Sequence, residues 1–279
     1  MNLTFLGTSA SEGFPNAFCD CENCTAAREA GGPSLRKRSS ALINRDLLID
    51  LGPDLMAAAQ QHGVSLAQID YCLQTHEHED HLDPSHFGSR SAFCGVHGNP
   101  RLHWYASQGA VAKAASGLTR DLLDAEMLEK LNLTIHEVAP FQRFAVGSYE
   151  VLSVKANHAA PLMTMLYVIS QGERTLFYGT DTSEMSEATW QALAAYGRPF
   201  NVVVLDHTFG FKNRSGGHMN AKQFLEQVAR LHKEKLLADD VRIYATHLGH
   251  HSHPIHEELV QFAQANGYLV AYDGLVVEV

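Results

Sequence analysis

Within Thr75-His76-Glu77-His78-Glu79-Asp80-His81, three imidazoles and the Asp80 carboxylate fall in an H-x-H-x-D-H pattern over six consecutive positions. Neutral imidazole and carboxylate suit borderline divalent metals such as zinc and manganese. Four donors this close in sequence do not easily surround one ion. They can serve two adjacent ions if the loop turns alternate side chains to different sides, so the segment reads as a two-metal hydrolytic centre. The chain has 17 histidines, and a His-rich loop can be no more than solvated polar sequence. Against that, the motif follows the apolar run 69–74 and stops before the helix-compatible Leu82-Asp83-Pro84. The rest of the coordination sphere must come from distant sequence.

Three later segments end strand-like runs with metal-ligating residue types. They are Val154-Lys155-Ala156-Asn157-His158, Phe177-Tyr178-Gly179-Thr180-Asp181-Thr182 and Ile243-Tyr244-Ala245-Thr246-His247. Taken singly, His158 is a loop histidine, Asp181 an N-cap or turn carboxylate, and His247 a strand-end histidine. A second cluster, Cys19-Asp20-Cys21-Glu22-Asn23-Cys24, has a spacing that in a reducing compartment binds metal more often than it forms disulfides. Cys72 and Cys94 read as packing residues. Ser215-Gly216-Gly217-His218-Met219-Asn220 precedes a helical pattern, with Asn220 as its N-cap. His207 reads as structural or as a support behind the metal ligands.

These residues need a frame to position them. Ala41-Leu42-Ile43-Asn44 and Leu47-Leu48-Ile49-Asp50 flank Arg45-Asp46 as a hairpin, and Pro53 opens a helical pattern through Gln61. Residues 107–130 read as helical, broken near Gly117. Strand-like runs follow at 133–138, 149–154, 164–169 and 175–178, with buried strands at 201–205 and 241–245. Helices are expected near 185–195, 220–233 and 255–265. Tyr272-Asp273-Gly274-Leu275 marks a turn before a last strand. No repeat or linker interrupts the pattern, so one domain over 1–279 is expected, with two mixed sheets packed face to face and helices outside.

At 279 residues, 45% hydrophobic and 19% charged, the composition is that of a soluble globular protein. No apolar run approaches the roughly 20 residues of a membrane span. The N-terminus reads as a first strand rather than a signal peptide, so a cytoplasmic location is expected. A net charge of −10 disfavours an extended nucleic-acid partner. Arg36-Lys37-Arg38 and Lys212-Asn213-Arg214 read as solvated loops. A small phosphorylated substrate stays compatible, because bound cations would supply local positive charge.

Taken in order, these motifs resemble the metallo-β-lactamase superfamily of binuclear metallohydrolases, from Leu6-Gly7-Thr8-Ser9 to Tyr272-Asp273-Gly274. The resemblance implies a four-layer αβ/βα sandwich with metals held by loops along one edge. It implies His76, His78 and His158 at a first metal, Asp80, His81 and His247 at a second, and Asp181 bridging both. The metals would be zinc or manganese, with iron also compatible.

Gly13-Phe14-Pro15 followed by Cys19, Cys21 and Cys24 is similar to the branch containing the phosphonate-pathway cyclic phosphodiesterase. That likeness implies a structural zinc on the three cysteines and a histidine: His250, with His251 and His253 as rivals. The His218 segment resembles one that phosphodiesterases of this superfamily place opposite the metals, where it would contact phosphoryl oxygens or protonate the leaving group. The implied activity is hydrolysis of a small phosphate ester, such as a phosphoribosyl 1,2-cyclic phosphate, by metal-bound hydroxide. A homodimer is implied as well. The alternatives are a tRNA 3′-end endonuclease, disfavoured by the acidic balance, and an accessory carrier protein of pyrroloquinoline quinone biosynthesis, whose H-x-H-x-D-H segment is degraded where this one is whole. This chain has more sequence between His81 and His158 than the phosphonate-pathway relative. The extra segment around 82–135 is expected to form a lid or reshape the pocket.

Overall fold

Alternating apolar runs become strands in two sheets. The computed structural model describes residues 1–120, 123–214 and 216–279. Asp121 and Leu122 of the expected 107–130 helical stretch, and Ser215 of the His218 segment, lie outside the described residues. The first sheet takes β1 (Asn2–Gly7), β2 (Ser40–Ile43), β3 (Leu47–Ile49), β4 (Tyr71–Leu73), β5 (Leu102–Ala106) and β6 (Leu133–Glu137). The second takes β7 (Arg143–Val146), β8 (Tyr149–Lys155), β9 (Met165–Gln171), β10 (Arg174–Gly179), β11 (Phe200–Asp206), β12 (Leu237–Thr246) and β13 (Leu269–Val270). The last strand, β14 (Val276–Glu278), returns to the first sheet beside β1.

Both sheets are mixed. In the first, β14, β1, β2 and β3 pair antiparallel and β3 to β6 pair parallel. In the second, β7 to β10 pair antiparallel and β10 to β13 pair parallel. Since β8 and β10 both run opposite to β9, the strands β8, β10, β11 and β12 all end along one edge of the second sheet. Ends of parallel strands are where open sheets hold their ligands.

Period-2 alternation explains the layers. In β11, Val202 and Val204, with Tyr167 of β9, face Phe5, Ile49 and Leu73 of the first sheet. Val203 and Leu205 face outward against Trp190, Phe224 and Leu259. Those partners lie on α6 (Glu187–Tyr196), α7 (Ala221–Lys233) and α8 (His256–Ala265). Leu48 and Trp104 of the first sheet pack outward against Leu55 of α2 (Leu55–His62) and Ala110 and Ala114 of α4 (Gln108–Gly117). The result is the four-layer αβ/βα sandwich. Asn220 caps α7 in a reciprocal box with Gln223. No helix among the described residues is long and apolar enough to cross a membrane.

Several expectations need correction. The 82–135 segment is not a lid. Its β5 and β6 extend the first sheet, and none of its described residues lines the cleft where the metal-ligating residues gather. Cys72 is buried in β4, but Cys94 is exposed rather than part of the core. Arg36 is not a solvated loop residue. It is 5% exposed, donating to Thr8 Oγ1 (2.8 Å) and to the Ala271 carbonyl (2.5 Å).

Candidate metal centre

Beyond β4 the chain enters the H-x-H-x-D-H loop, whose shape is set from below by Gln74 and Asp50. Gln74 Nε2 donates to Asp50 Oδ1 (2.8 Å) and to the carbonyls of His76 (3.0 Å) and His81 (2.9 Å). Asp50 also accepts from the Thr75 amide (2.7 Å) and the Thr75 hydroxyl (2.8 Å). From the other side, Lys113 of α4 donates to the Glu77 carbonyl (2.5 Å) and to Glu79 Oε1 (3.0 Å). The first turn of α4 presses so close that a Cβ on Gly109 would stand 2.3 Å from Glu77 Oε1. The helical segment expected as a lid therefore braces the loop from behind.

The inward side of this loop meets His158 after β8, Asp181 after β10 and His247 after β12. His76 Nε2 lies 2.9 Å from His78 Nδ1, which lies 3.2 Å from His158 Nε2. In a second group, His81 Nε2 is 3.2 Å from Asp80 Oδ2 and 3.1 Å from Asp181 Oδ2, while His247 Nε2 is 3.3 Å from Asp181 Oδ1. Asp181 Oδ1 also faces His158 Nε2 at 3.9 Å, so its carboxylate stands between the two groups. Asp181 and His247 both adopt positive φ, 54° and 59°. This left-handed turn at a strand end is costly for non-glycine residues and is typical of functional sites.

Hydrogen bonding fixes which nitrogen of each imidazole faces the centre. The outer Nδ1 of His81 donates to Asp50 Oδ2 (2.6 Å), that of His158 to the Gly217 carbonyl (2.8 Å), and that of His247 to Thr208 Oγ1 (2.8 Å). The hydroxyl of Thr208 is itself spent on Asp206 Oδ2 (3.1 Å), which makes it the acceptor from His247. His76 Nδ1 likewise has Thr75 Oγ1 at 3.0 Å. Each of these four rings thus turns an Nε2 lone pair inward, as a metal ligand must. Among the described atoms, His81 Nε2, His247 Nε2 and Asp181 Oδ2 are buried without a hydrogen-bond partner. His81 Nε2 and Asp181 Oδ2 stand 3.1 Å apart without forming a hydrogen bond. Buried orphans of this kind are costly unless an ion satisfies them, so the donor set fits divalent metal.

Charge agrees with this fit. Burial, reinforced by the neighbouring imidazoles, pushes His76 well below the usual histidine range, favouring the neutral ligand form. Burial opposes the charged forms of Asp181 and His81 too. Yet the charges of His247 and His81 hold Asp181 well down, and Asp181, Asp80 and Asp50 pull His81 well up. The carboxylate charge that pulls His81 up is the charge a bound cation would offset, with the His81 imidazole then neutral. Asp50→Asn should weaken metal binding by roughly 10–100-fold, as loss of such outer partners does. Competition against a graded chelator series would measure it, and an unchanged affinity would show that Asp50 merely packs.

Asp206 and Thr208, at the end of β11, complete the centre. His218 Nδ1 donates to Asp206 Oδ2 at 2.7 Å, and the His218 ring lies 4.7 Å from that of His158 and 5.3 Å from that of His247. Burial disfavours the His218 imidazolium, but the Asp206 charge and hydrogen bond outweigh it and raise its pKa to about 9. Sequence reasoning singled out His207 in this segment and passed over Asp206. His207 is fully buried, with Nδ1 2.9 Å from His253 Nε2 and Tyr268 Oη 3.2 Å from its Nε2. It ties loops together and does not face the cleft.

The cysteine cluster converges separately. Cys19, Cys21, Cys24 and His250 bring their donor atoms within 4.8 Å of one another. His250 Nδ1 is 3.2 Å from Cys24 Sγ and 3.8 Å from Cys21 Sγ. Of its rivals, His251 faces Glu12 (3.4 Å) and His253 faces His207. A hydrogen bond from the Cys24 amide lowers Cys21 to about 6, toward the thiolate that binds metal, whereas burial raises Cys24 to about 12. Three thiols and an imidazole suit a closed tetrahedral zinc site.

A cleft of about 530 Å³ opens over the first centre, walled by His78, Asp80, His158, Asp181, His218 and His247. This chain belongs to the beta-lactamase superfamily, a hydrolase-type family, whose domain model matches residues 45–239. No curated protein matches it significantly. Among solved structures it is similar to a diphosphatase of the PhnP family, at 24% identity over 100% of this chain and 97% of that one, with a TM-score of 0.75. It is also similar to zinc-bound PqqB from Methylobacterium extorquens, at 19% identity over 100% of both chains, with a TM-score of 0.73. A third is the short form of human tRNase Z, at 15% identity over 100% of this chain and 99% of that one, with a TM-score of 0.66. At these identities the likeness is one of fold.

Proposed function

We propose that this chain is a metal-dependent hydrolase cleaving a phosphoester of a small substrate. Two divalent ions would be held by His76, His78 and His158 on one side and by Asp80, His81 and His247 on the other, with Asp181 shared. The observation that carries this reading is the Asp181 carboxylate, buried between the two groups of imidazoles, with its own Oδ2 and the Nε2 atoms of His81 and His247 left without a hydrogen-bond partner among the described atoms. Bound there, a cation pair would supply an acidified water and offset charge building on phosphoryl oxygens. The donor chemistry accepts zinc, manganese or iron, while the cysteine set favours zinc.

The chain's own residues supply the remainder. Asp206 takes the His218 Nδ1–H, which leaves Nε2 for the cleft, and its charge favours the protonated ring. From there it can pass a proton to the departing alkoxide. His218→Ala should therefore lower kcat roughly 100-fold or more while leaving metal content intact. The sign of the pH effect follows. An acid with a raised pKa is competent below that value and is lost above it. Wild-type rates should then fall in a basic limb no higher than about pH 9, since nearby cations only lower the value. The variant should lack that limb. An unchanged kcat would remove His218 from the mechanism.

The test of the function is metal analysis of purified protein, followed by assays after reconstitution with zinc, manganese or iron. Bis(p-nitrophenyl) phosphate, a cyclic phosphate and a diphosphate form the substrate set, the last because one similar structure is a diphosphatase. Metal-dependent turnover of a phosphoester supports the reading. Metal binding without turnover of any member overturns it and turns attention to a carrier role. The net charge of −10 favours a small substrate over nucleic acid.

A further inference from the structure

Arg214 belongs to the triplet Lys212-Asn213-Arg214, which in sequence reads as solvated loop. The triplet is exposed, as that reading expects, but the Arg214 guanidinium also lies over the Phe209 ring, 4.6 Å from the centroid, at the wall of the cleft that holds the metal donors. It is the sole lysine or arginine among the described lining residues. The carboxylates that share the cleft are committed elsewhere. Asp80 and Asp181 face His81 and His247, and Glu12 faces His251 at 3.4 Å. Among the described residues no carboxylate is within ion-pair distance of Arg214. Stacking on an aromatic face holds a guanidinium in place and leaves its edge N–H groups free, a geometry that matches an oxyanion two bonds at a time.

Its position says which part of a substrate it meets. Phe209 contacts His218 edge-on, with centroids 5.4 Å apart at 79°. Arg214 is thus one aromatic ring removed from His218, the group that serves the leaving alcohol. We propose that Arg214 binds a second anionic group, a phosphate or carboxylate carried on the leaving-group portion of the substrate. It would thereby select doubly anionic esters over simple ones. This rests on the phosphoester reading for the choice of which end of the ligand the metal donors hold.

Calorimetric titration of the metal-loaded protein tests it without relying on turnover. The probes are inorganic phosphate, alkane bisphosphonates with about three to five methylenes, and phosphonocarboxylates of matching length. One spacer length should bind at least about tenfold more tightly than phosphate, as a second charge-assisted contact provides. Arg214→Ala should remove most of that advantage while shifting the phosphate affinity less than about twofold, and Arg214→Lys should restore part of it. A gain for bisphosphonates alone identifies a second phosphate, and a gain for both series identifies an oxyanion of either kind. No two-headed ligand outbinding phosphate, or Arg214→Ala weakening phosphate and two-headed ligands alike, overturns the proposal. Wild-type turnover of bis(p-nitrophenyl) phosphate is measured separately. Its absence would sink the phosphoester reading and leave the titrations interpretable.

Discussion

Asp181→Asn should leave a folded protein that binds less catalytic metal and turns over at least about 10³-fold more slowly, the scale of losing a charge-stabilising group at the reacting centre. The asparagine keeps the volume and the positive-φ backbone, so packing at this buried position changes little. What it removes is the negative charge that sits 3.1 Å from His81 Nε2, 3.3 Å from His247 Nε2 and 3.9 Å from His158 Nε2. An amide offers one weak acceptor in place of two anionic oxygens and cannot bridge two cations. Two readouts separate this from general damage. Metal analysis should fall below the wild-type stoichiometry, and the gain in Tm on adding metal should shrink because stabilisation by a ligand follows its affinity. A variant that keeps its full metal complement and turns over within tenfold of wild type would show that Asp181 is not shared between ions.

The part of the centre that was legible in sequence is the part written locally. His76, His78, Asp80 and His81 stand together in one loop, and His158, Asp181 and His247 each follow an apolar run that proved to be a strand. Asp50 and Asp206 were not legible. Each is a carboxylate at a strand end, and each gains its meaning from a histidine reached only through the fold: His81, 31 positions on, and His218, 12 positions on. Element by element the same division holds. The β11 run is buried on both faces and reads clearly, whereas β7, Arg143-Phe144-Ala145-Val146, is a half-exposed edge strand with little pattern. The helix α1 (Glu22–Ala30) buries only Cys24 and Ala27, so no apolar stripe announces it. β5 carries the alternation of a strand over only five residues, Leu102–Ala106, too short a run to stand out, and its His103 and Tyr105 find their meaning in stacking on His136 of β6. Counting the residues between His81 and His158 could not tell extra strands from a lid, because length carries no information on which face of a sheet an insertion joins.

The cysteine site makes the second large prediction, through stability more than chemistry. Helix α1 and the loop before it are held by few apolar contacts, so their position depends on Cys19, Cys21, Cys24 and His250. Cys24→Ser removes the fully buried thiol that lies 3.2 Å from His250 Nδ1. With free zinc about 1,000-fold above Kd, zinc-linked stabilisation is about 4 kcal/mol, which in a chain of this size is on the order of 10 °C in Tm. The variant should lose about one zinc equivalent and a Tm increment of that order, and added zinc should no longer recover it. Because His250 follows His247 by three positions, loosening this loop also frees the backbone that aims His247, and catalytic-metal affinity should fall with it. Calorimetric melting at several zinc concentrations, paired with metal analysis, separates the two sites: a Cys24→Ser protein with wild-type Tm and zinc content would mean that the thiols pack as an ordinary buried cluster and pin nothing.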